Sequence, residues 1–174
     1  MLTKEDNDLL CRVGPGTPMG ELLRRYWMPI AGASELDTNA IKPVRLLCED
    51  LVLYRDRSGG YGLVWRQCSH RGADLAYGMV DESGIRCSYH GWKFDALGAC
   101  VEQPYEDIAN PNPKSHEGCA IAGYPVRELA GLLWAYMGPQ PAPELPVWAP
   151  FTYDNGFREI VTADIPCHWF PCQE

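Results

Sequence analysis

The chain has 174 residues, 46% of them hydrophobic and 22% charged, which is enough to bury one core of ordinary size. Its 15 Lys and Arg against 23 Asp and Glu give a net charge of −8, which argues against nucleic acid or an anionic membrane as a partner. The first residues lack the features of a signal peptide, and no apolar run approaches the ~20 residues of a membrane helix. We therefore expect a soluble, cytoplasmic protein whose partners are proteins with basic docking faces.

The first forty residues predict short helices. Thr17 can cap a helix, and Pro18 suits the first helical position. Apolar residues at helical spacing follow and form one face: Leu22, Leu23, Tyr26 and Trp27. We predict a helical N-terminal segment over residues 1–40.

From Val44 onward, apolar residues recur as they do in β-strands. Two strands are predicted about a turn at Glu49-Asp50, and glycines mark a second turn at 58–60. The next two strands, 61–67 and 85–86, each end directly before a cysteine. This part of the chain is therefore predicted to be antiparallel β structure.

The stretch that follows combines a polar segment and a hairpin. Residues 103–119 are polar and contain Pro104, Pro111 and Pro113, which predicts a surface loop. A hairpin is predicted to run over 124–129, turn at Ala130-Gly131 and return over 132–137. The fold class is thus mainly β, with one antiparallel domain over residues 41–138.

The last part of the chain, 139–174, begins with five prolines between Pro139 and Pro150, as in a stiff, extended linker. Residues 156–165 alternate as in a strand. We predict a proline-rich linker followed by the start of a further domain.

Two short motifs carry the chemistry. Cys68-Ser-His70 is separated by sixteen residues from Cys87-Ser-Tyr-His90, and a glycine follows each histidine closely. A Rieske [2Fe-2S] cluster has one iron held by two cysteine thiolates and another held by two histidine nitrogens, so each loop must supply one ligand of each kind. Cys68, His70, Cys87 and His90 are therefore the predicted cofactor and metal ligands.

Zinc is the alternative occupant, because two cysteines and two histidines also form a tetrahedral zinc site. Zinc sites favour pairs of cysteines and pairs of histidines at short spacing, whereas the order here alternates. Gly72 and Gly91 permit the sharp turns and the close backbone approach that a cluster needs. The spacing therefore favours the cluster. The other six cysteines are expected to be reduced thiols buried in strands.

Arg71-Gly72 follows the first motif and Gly91-Trp92 follows the second. The sequence around both motifs strongly resembles the Rieske domain of Rieske non-haem iron ring-hydroxylating oxygenase α subunits. The opening residues also look like the start of phthalate-type members. Respiratory Rieske proteins carry a further cysteine in each loop, where this chain has Ala73 and Tyr89.

The resemblance implies an electron-transfer role in an aromatic-ring-hydroxylating or demethylating oxygenase. Such a domain takes electrons from a reductase or ferredoxin and passes them, by way of a cluster histidine, to a mononuclear Fe(II). That iron is held by two histidines and a carboxylate in a catalytic domain of a neighbouring subunit, within a homotrimer. Here only His116 and His168 remain, and neither has a histidine partner at helical spacing. We expect that iron only in a catalytic domain missing from these residues, so that the chain alone is inactive on substrate.

A stand-alone Rieske ferredoxin, an electron carrier without substrate, is the alternative function. Such a carrier needs little beyond the cluster fold, whereas this chain adds about forty residues before it and a proline-rich tail after it. These additions favour the oxygenase.

Residues beside the motifs have structural explanations too. Three tryptophans either shield the cluster or pack the core: Trp65, Trp92 and Trp134. Arg71 and Lys93 are expected to offset the cluster's charge rather than to steer a partner. Asp74 and Asp95 are expected to accept hydrogen bonds within loops.

Overall fold

The computed structural model describes residues 2–109, 111 and 116–172. In this part of the chain the helices are short: α1 (Lys4–Cys11), α2 (Pro18–Leu23), α3 (Glu35–Thr38) and α4 (Pro104–Ala109). The strands are β1 (Trp27–Gly32), β2 (Ile41–Leu46), β3 (Glu49–Arg55), β4 (Tyr61–Trp65), β5 (Met79–Asp81), β6 (Gly84–Arg86), β7 (Lys93–Phe94), β8 (Cys100–Glu102), β9 (Gly123–Tyr124), β10 (Val126–Leu129) and β11 (Leu132–Tyr136). Single 3₁₀ turns lie at Leu75–Tyr77, Ala149–Thr152 and Phe170–Cys172.

The strands form three antiparallel sheets. Their orders are β1-β11-β10, β2-β3-β4-β9 and β5-β6-β7-β8. The predicted fold class, mainly antiparallel β with short N-terminal helices, is confirmed.

Strand β3, in the middle of the β2-β3-β4-β9 sheet, is buried on both faces. Because side chains alternate along a strand, Leu51 and Leu53 face one way and Val52 and Tyr54 the other. The leucines pack with Leu133 of the β1-β11-β10 sheet. Val52 and Tyr54 pack with the β5–β8 sheet and with Cys68 and Cys87. Burying a Leu or Val fully contributes about 1.5–3 kcal/mol. This packing stabilises the contacts of the central sheet with the other two sheets, and Cys68 and Cys87 lie in the core on the side of the β5–β8 sheet.

The N-terminal helices form as predicted only in part. Thr17 accepts a hydrogen bond from Gly20 N at 3.2 Å, and Pro18 occupies the first helical position. Trp27, however, begins β1 and pairs with Tyr136 of β11, so its predicted place on a helix face was wrong. Pairing with a strand distant in sequence outweighed the local helical spacing.

The turn between β2 and β3 lies two residues earlier than predicted. Leu47 and Cys48, not Glu49-Asp50, form it, with φ of 46° and 65°. Neither residue is a glycine or an asparagine, so the sequence carried no signal for this left-handed turn. The predicted turns at 58–60 and at Ala130-Gly131 are present, the latter with φ of 58° and 80°.

Part of the predicted surface loop 103–119 is helical instead. Residues 104–109 form α4, which starts at Pro104, and Asp107 accepts a hydrogen bond from Gln103 N at 2.8 Å. Proline at the first position and acidic residues in the first turn explain the helix. Pro113 lies outside the described residues.

The proline-rich segment packs on the outer face of the β1-β11-β10 sheet. Leu145 is buried there with Trp27, Trp134 and Tyr136, and Trp27 Nε1 donates to Pro143 O at 3.0 Å. Residues 156–165 form no strand, although their alternation predicted one. Within the described ranges, no helix is long and apolar enough to cross a membrane.

Candidate metal centre

Two five-residue loops, 68–72 (the first loop) and 87–91 (the second loop), have the same backbone hydrogen bonds. Cys68 N donates to Ala73 O at 2.9 Å, and Gly72 N donates to Cys68 O at 2.8 Å. The second loop repeats both bonds: Cys87 N donates to Trp92 O at 2.8 Å, and Gly91 N donates to Cys87 O at 3.0 Å. Each glycine closes its loop in the left-handed region, with φ of 69° for Gly72 and 77° for Gly91.

The histidines differ in position within this common frame. His70 stands two residues after its cysteine, and His90 stands three residues after. Their rings nevertheless meet, with centroids 4.7 Å apart and planes at 61°. Both rings are half-buried, which leaves part of each at the surface.

The two cysteines lie beneath the histidines in the core between the sheets. Cys68 is 2% exposed and Cys87 is 3% exposed. Burial raises the pKa of Cys68, and the neighbouring Cys87 thiol raises it further. Hydrogen bonds from the backbone N–H groups of His70 and Arg71 act in the opposite direction and lower this pKa, which is raised overall to about 11. A bound metal cation removes this proton, since a coordinating thiol is a thiolate.

The structure thus brings all four predicted residues together as two pairs. One pair consists of two buried thiols, and the other of two half-exposed imidazoles. Among the described residues, no group of three His, Cys, Asp or Glu side chains is placed to hold one metal ion. The paired arrangement suits two metal atoms with two protein ligands each better than a single zinc ion.

The second loop rests on a group of partly buried charges. Arg86 donates to Gly91 O at 2.8 Å, to Asp81 at 2.7 Å and to Glu102 at 2.6 Å. The hydrogen bond from Arg86 lowers the pKa of Asp81 to about 2. Lys93 is 7% exposed and lies 3.5 Å from Asp81 and 3.4 Å from Glu102. Lys93 is therefore paired with carboxylates, and the expectation that it offsets a cluster's charge stays a prediction.

The first loop is held by a more exposed pair. Arg66 donates to both carboxylate oxygens of Asp74, at 2.6–3.0 Å, and Asp74 also accepts from Ala76 N. The side chain of Arg66 is 37% exposed, against 23% for Arg86. Asp95 accepts from Leu97 N and Ala99 N, so both predicted loop acceptors, Asp74 and Asp95, are confirmed.

The match to a known family covers the whole site. The Rieske [2Fe-2S] domain family matches residues 26–122, which include both loops and their supporting strands. The chain belongs to the Rieske [2Fe-2S] domain family.

Relatives of this Rieske domain are named as oxygenase subunits. The chain is 64% identical over 174 residues to the 5,5'-dehydrodivanillate O-demethylase oxygenase subunit of Sphingobium sp. (strain NBRC 103272 / SYK-6). The aligned region covers 100% of the chain and 41% of the relative. It is 44% identical over 174 residues to the phthalate 4,5-dioxygenase oxygenase subunit of Pseudomonas putida, covering 97% of the chain and 38% of the relative. The chain therefore spans about two fifths of the length of these relatives.

Solved structures show the same fold. The caffeine-bound QL mutant of NdmA from Pseudomonas putida CBB5 matches with a TM-score of 0.65 and 29% identity, over 76% of this chain and 40% of that one. A chain of the reduced complex between oxygenase and ferredoxin in carbazole 1,9a-dioxygenase matches with a TM-score of 0.57 and 26% identity, over 70% of this chain and 31% of that one.

Of the three tryptophans considered, only Trp92 lies against the Rieske site. Its ring stacks on His70 with centroids 4.6 Å apart and planes at 6°. Trp92 is 7% exposed and packs with Cys68 and Cys87, and its Nε1 is buried without a protein partner. Trp134 packs in the separate cluster under the proline-rich segment. A buried donor without a partner is costly, so a bound group that offers acceptor atoms fits this site.

Several contacts that hold the loops had no signal in the sequence. The Ser69 hydroxyl donates to Cys119 O, fifty residues away. Pro104 of α4 lies against Gly91, whose added Cβ would come within 3.2 Å of Pro104 Cγ. Arg66 and Arg86 precede the loops and could have been noticed as cations close to the predicted ligand cysteines. The other contacts depend on tertiary packing alone.

Proposed function

We propose that this Rieske domain holds a [2Fe-2S] cluster, with Cys68 and Cys87 on one iron and His70 and His90 on the other. The observation that carries the proposal is the repeated loop frame, which presents a buried thiol pair beneath a half-exposed imidazole pair. When bound, such a cluster supplies one-electron transfer.

The protein residues give the site its asymmetry. The cysteines exclude water from one side because they are almost fully buried. His70 and His90 are half-exposed, so an electron acceptor can approach them from the surface. Trp92 covers one face of His70, while the exposed Tyr89 ring lies 3.9 Å from the His90 ring. These half-exposed histidines are the proposed exit for an electron.

The partners we propose follow from the relatives. The chain accepts single electrons from a reductase or ferredoxin and relays them to a mononuclear non-haem iron in an oxygenase catalytic domain, within a homotrimer. Relatives named as oxygenase subunits support this proposal, as does a similar structure described as a complex of oxygenase and ferredoxin. They favour it over a stand-alone Rieske ferredoxin.

The mononuclear iron site is proposed to lie in a catalytic domain outside these residues. His116 Nε2 is paired with Asp107 at 2.7 Å, and His168 is exposed. The described ranges hold no three-ligand group. We therefore propose that residues 1–174 alone turn over no substrate, which oxygen uptake coupled to product formation would contradict.

The identity of 64% to an O-demethylase subunit favours an aromatic O-demethylase over a ring dioxygenase. The pocket that selects a substrate is proposed to lie in the catalytic domain. A complete oxygenase carrying this Rieske domain, supplied with its reductase, is expected to consume oxygen faster with 5,5'-dehydrodivanillate than with phthalate. The opposite preference would contradict this assignment.

The first experiment is to count iron, zinc and acid-labile sulfide in the purified chain. About two irons and two sulfides per chain are expected. One zinc without sulfide would overturn the cluster. A third iron without more sulfide would overturn the proposal that the mononuclear iron site lies outside these residues.

A second experiment tests the histidine ligands. His90→Cys replaces a neutral imidazole by an anionic thiolate, so the cluster is expected to remain but to have a lower reduction potential. Voltammetry measures the potential, and an unchanged value would count against His90 as a ligand. Tyr89→Phe, at the neighbouring exposed position, is the matched control.

A further inference from the structure

Two thiols outside the Rieske site lie in contact. Cys167 Sγ and Cys172 Sγ are 3.2 Å apart, and both residues are exposed. Cys100 alone of the other six cysteines is fully buried in a strand, so the expectation that all six are buried in strands was wrong. The electron-transfer proposal uses neither Cys167 nor Cys172.

The segment between the two thiols is anchored. Trp169 Nε1 donates to Cys11 O, at the end of α1, at 3.1 Å. The Cys172 thiol also lies 3.7 Å from His168 O, across the 3₁₀ turn. These contacts hold the two sulfurs near each other, whereas a pair on a free chain end would separate.

We propose that Cys167 and Cys172 form a reversible disulfide, a redox modification site that fixes the 167–172 segment against α1. A disulfide bond is about 2.0 Å long, so the sulfurs need to approach by only about 1 Å. The hydrogen bond with Cys172, more than the slight burial, raises the pKa of Cys167, as expected for adjacent sulfurs. Exposure to solvent gives a dissolved oxidant access to both sulfurs.

The oxidant is a low-molecular-weight disulfide such as glutathione disulfide. One cysteine thiolate attacks its S–S bond, forms a mixed disulfide and releases one glutathione thiolate. The second cysteine thiolate then attacks the protein sulfur of this mixed disulfide and releases the second glutathione. The two thiols lose two electrons and two protons, and the oxidant becomes two molecules of glutathione.

Tryptic mapping of the full chain tests the proposal directly. Arg158 is the last Lys or Arg, so trypsin releases 159–174, which contains these two cysteines and no other. The reduced chain is incubated with glutathione disulfide at pH 8, and the remaining thiols are blocked with N-ethylmaleimide. The expected 159–174 peptide is lighter than the reduced peptide by two hydrogens and carries neither glutathione nor maleimide. Treatment with dithiothreitol returns it to the mass of the reduced peptide.

Single variants separate the pair from ordinary thiol chemistry. Cys167→Ser and Cys172→Ser are each expected to retain one glutathione on the remaining cysteine. Cys48→Ser, which removes an exposed thiol outside the 167–172 segment, is expected to leave the pair disulfide unchanged. Two glutathiones on the wild-type peptide, two maleimides, or a cross-link to Cys11 would each overturn the proposal.

The anchor has its own test. Trp169→Phe removes the indole N–H but keeps an aromatic ring, so the ratio of disulfide to dithiol at a fixed glutathione ratio is expected to fall about two- to tenfold. An unchanged ratio would overturn the anchoring role of Trp169. Iron and sulfide, measured on the same samples, report the state of the Rieske site separately.

Discussion

The first and second loops share one backbone frame but rest on different supports. In each loop the cysteine and the glycine four residues later make the same two hydrogen bonds. The first loop is held by the partly exposed Arg66–Asp74 pair and by Ser69. The second loop rests on Arg86, which reaches Gly91 O and two carboxylates, and its glycine is covered by Pro104.

The difference separates what determines the shape of a ligand loop from what determines its rigidity. The shape follows from a cysteine, a glycine and local backbone bonds. The rigidity follows from the surroundings, because partly buried, multiply bonded charges cost more to disturb than exposed pairs. We therefore expect equal effects when ligands are changed and unequal effects when supports are changed.

The largest effect is expected from the ligands. Cys68→Ser and Cys87→Ser each remove one thiolate from the same proposed iron, so both are expected to lower bound iron and sulfide at least about tenfold. Metal and sulfide analysis measures the loss, with Cys48→Ser as the control. A variant that kept its full iron and sulfide would exclude that cysteine as a ligand.

The next effect distinguishes the two supports. Arg86→Met removes the bond to Gly91 O and leaves Asp81 and Glu102 without their strongest partner, so it is expected to lower the free energy of unfolding by about 2–3 kcal/mol. Arg66→Met is expected to cost less, since its pair is more exposed. Urea denaturation of both holoproteins measures the difference. Equal losses would contradict the unequal supports.

A smaller effect is expected from the glycines. Alanine at Gly72 or Gly91 must adopt a left-handed conformation, which costs about 1–2 kcal/mol in either loop. Alanine at Gly91 also crowds Pro104, whereas nothing lies within 4 Å of a Cβ at Gly72. Gly91→Ala is therefore expected to be the more destabilising by several tenths of a kcal/mol. Urea denaturation ranks the two variants, and a reversed order would exclude the Pro104 contact as the cause.

The smallest effect is a dependence on pH. Because Arg86 lowers the pKa of Asp81 from 3.8 to about 2, the ionised carboxylate stabilises the fold above about pH 4, and this contribution is lost as the pH falls toward 2. Asp81→Asn is expected to be less stable than wild type at pH 6, with a gap that narrows below pH 4. Urea titrations from pH 6 to pH 3 measure the gap. If the difference in the free energy of unfolding between Asp81→Asn and wild type stayed constant with pH, the loss would come from packing and not from the charge of Asp81.

The sequence predicted those features whose causes are local. The four proposed ligands follow from a repeated motif, and the Ala130-Gly131 turn follows from its glycine and the flanking alternation. The turn at Leu47-Cys48 was missed because two residues without turn preference adopt positive φ there.

Other features depend on partners distant in the sequence. Trp27 is in a strand because β11, more than a hundred residues later, pairs with it. Lys93 follows His90 closely in sequence, yet its side chain reaches Asp81 and Glu102. No local pattern encodes either outcome.

The common frame of the two loops has a consequence for protein engineering. Because residues 68–72 and 87–91 close with the same bonds, the two segments are interchangeable as backbone units. A chimera with two copies of 68–72 would close both turns, yet both imidazoles would project from the second position after cysteine. Loop closure and ligand direction can therefore be redesigned independently, one through glycine and the other through the position of a single histidine.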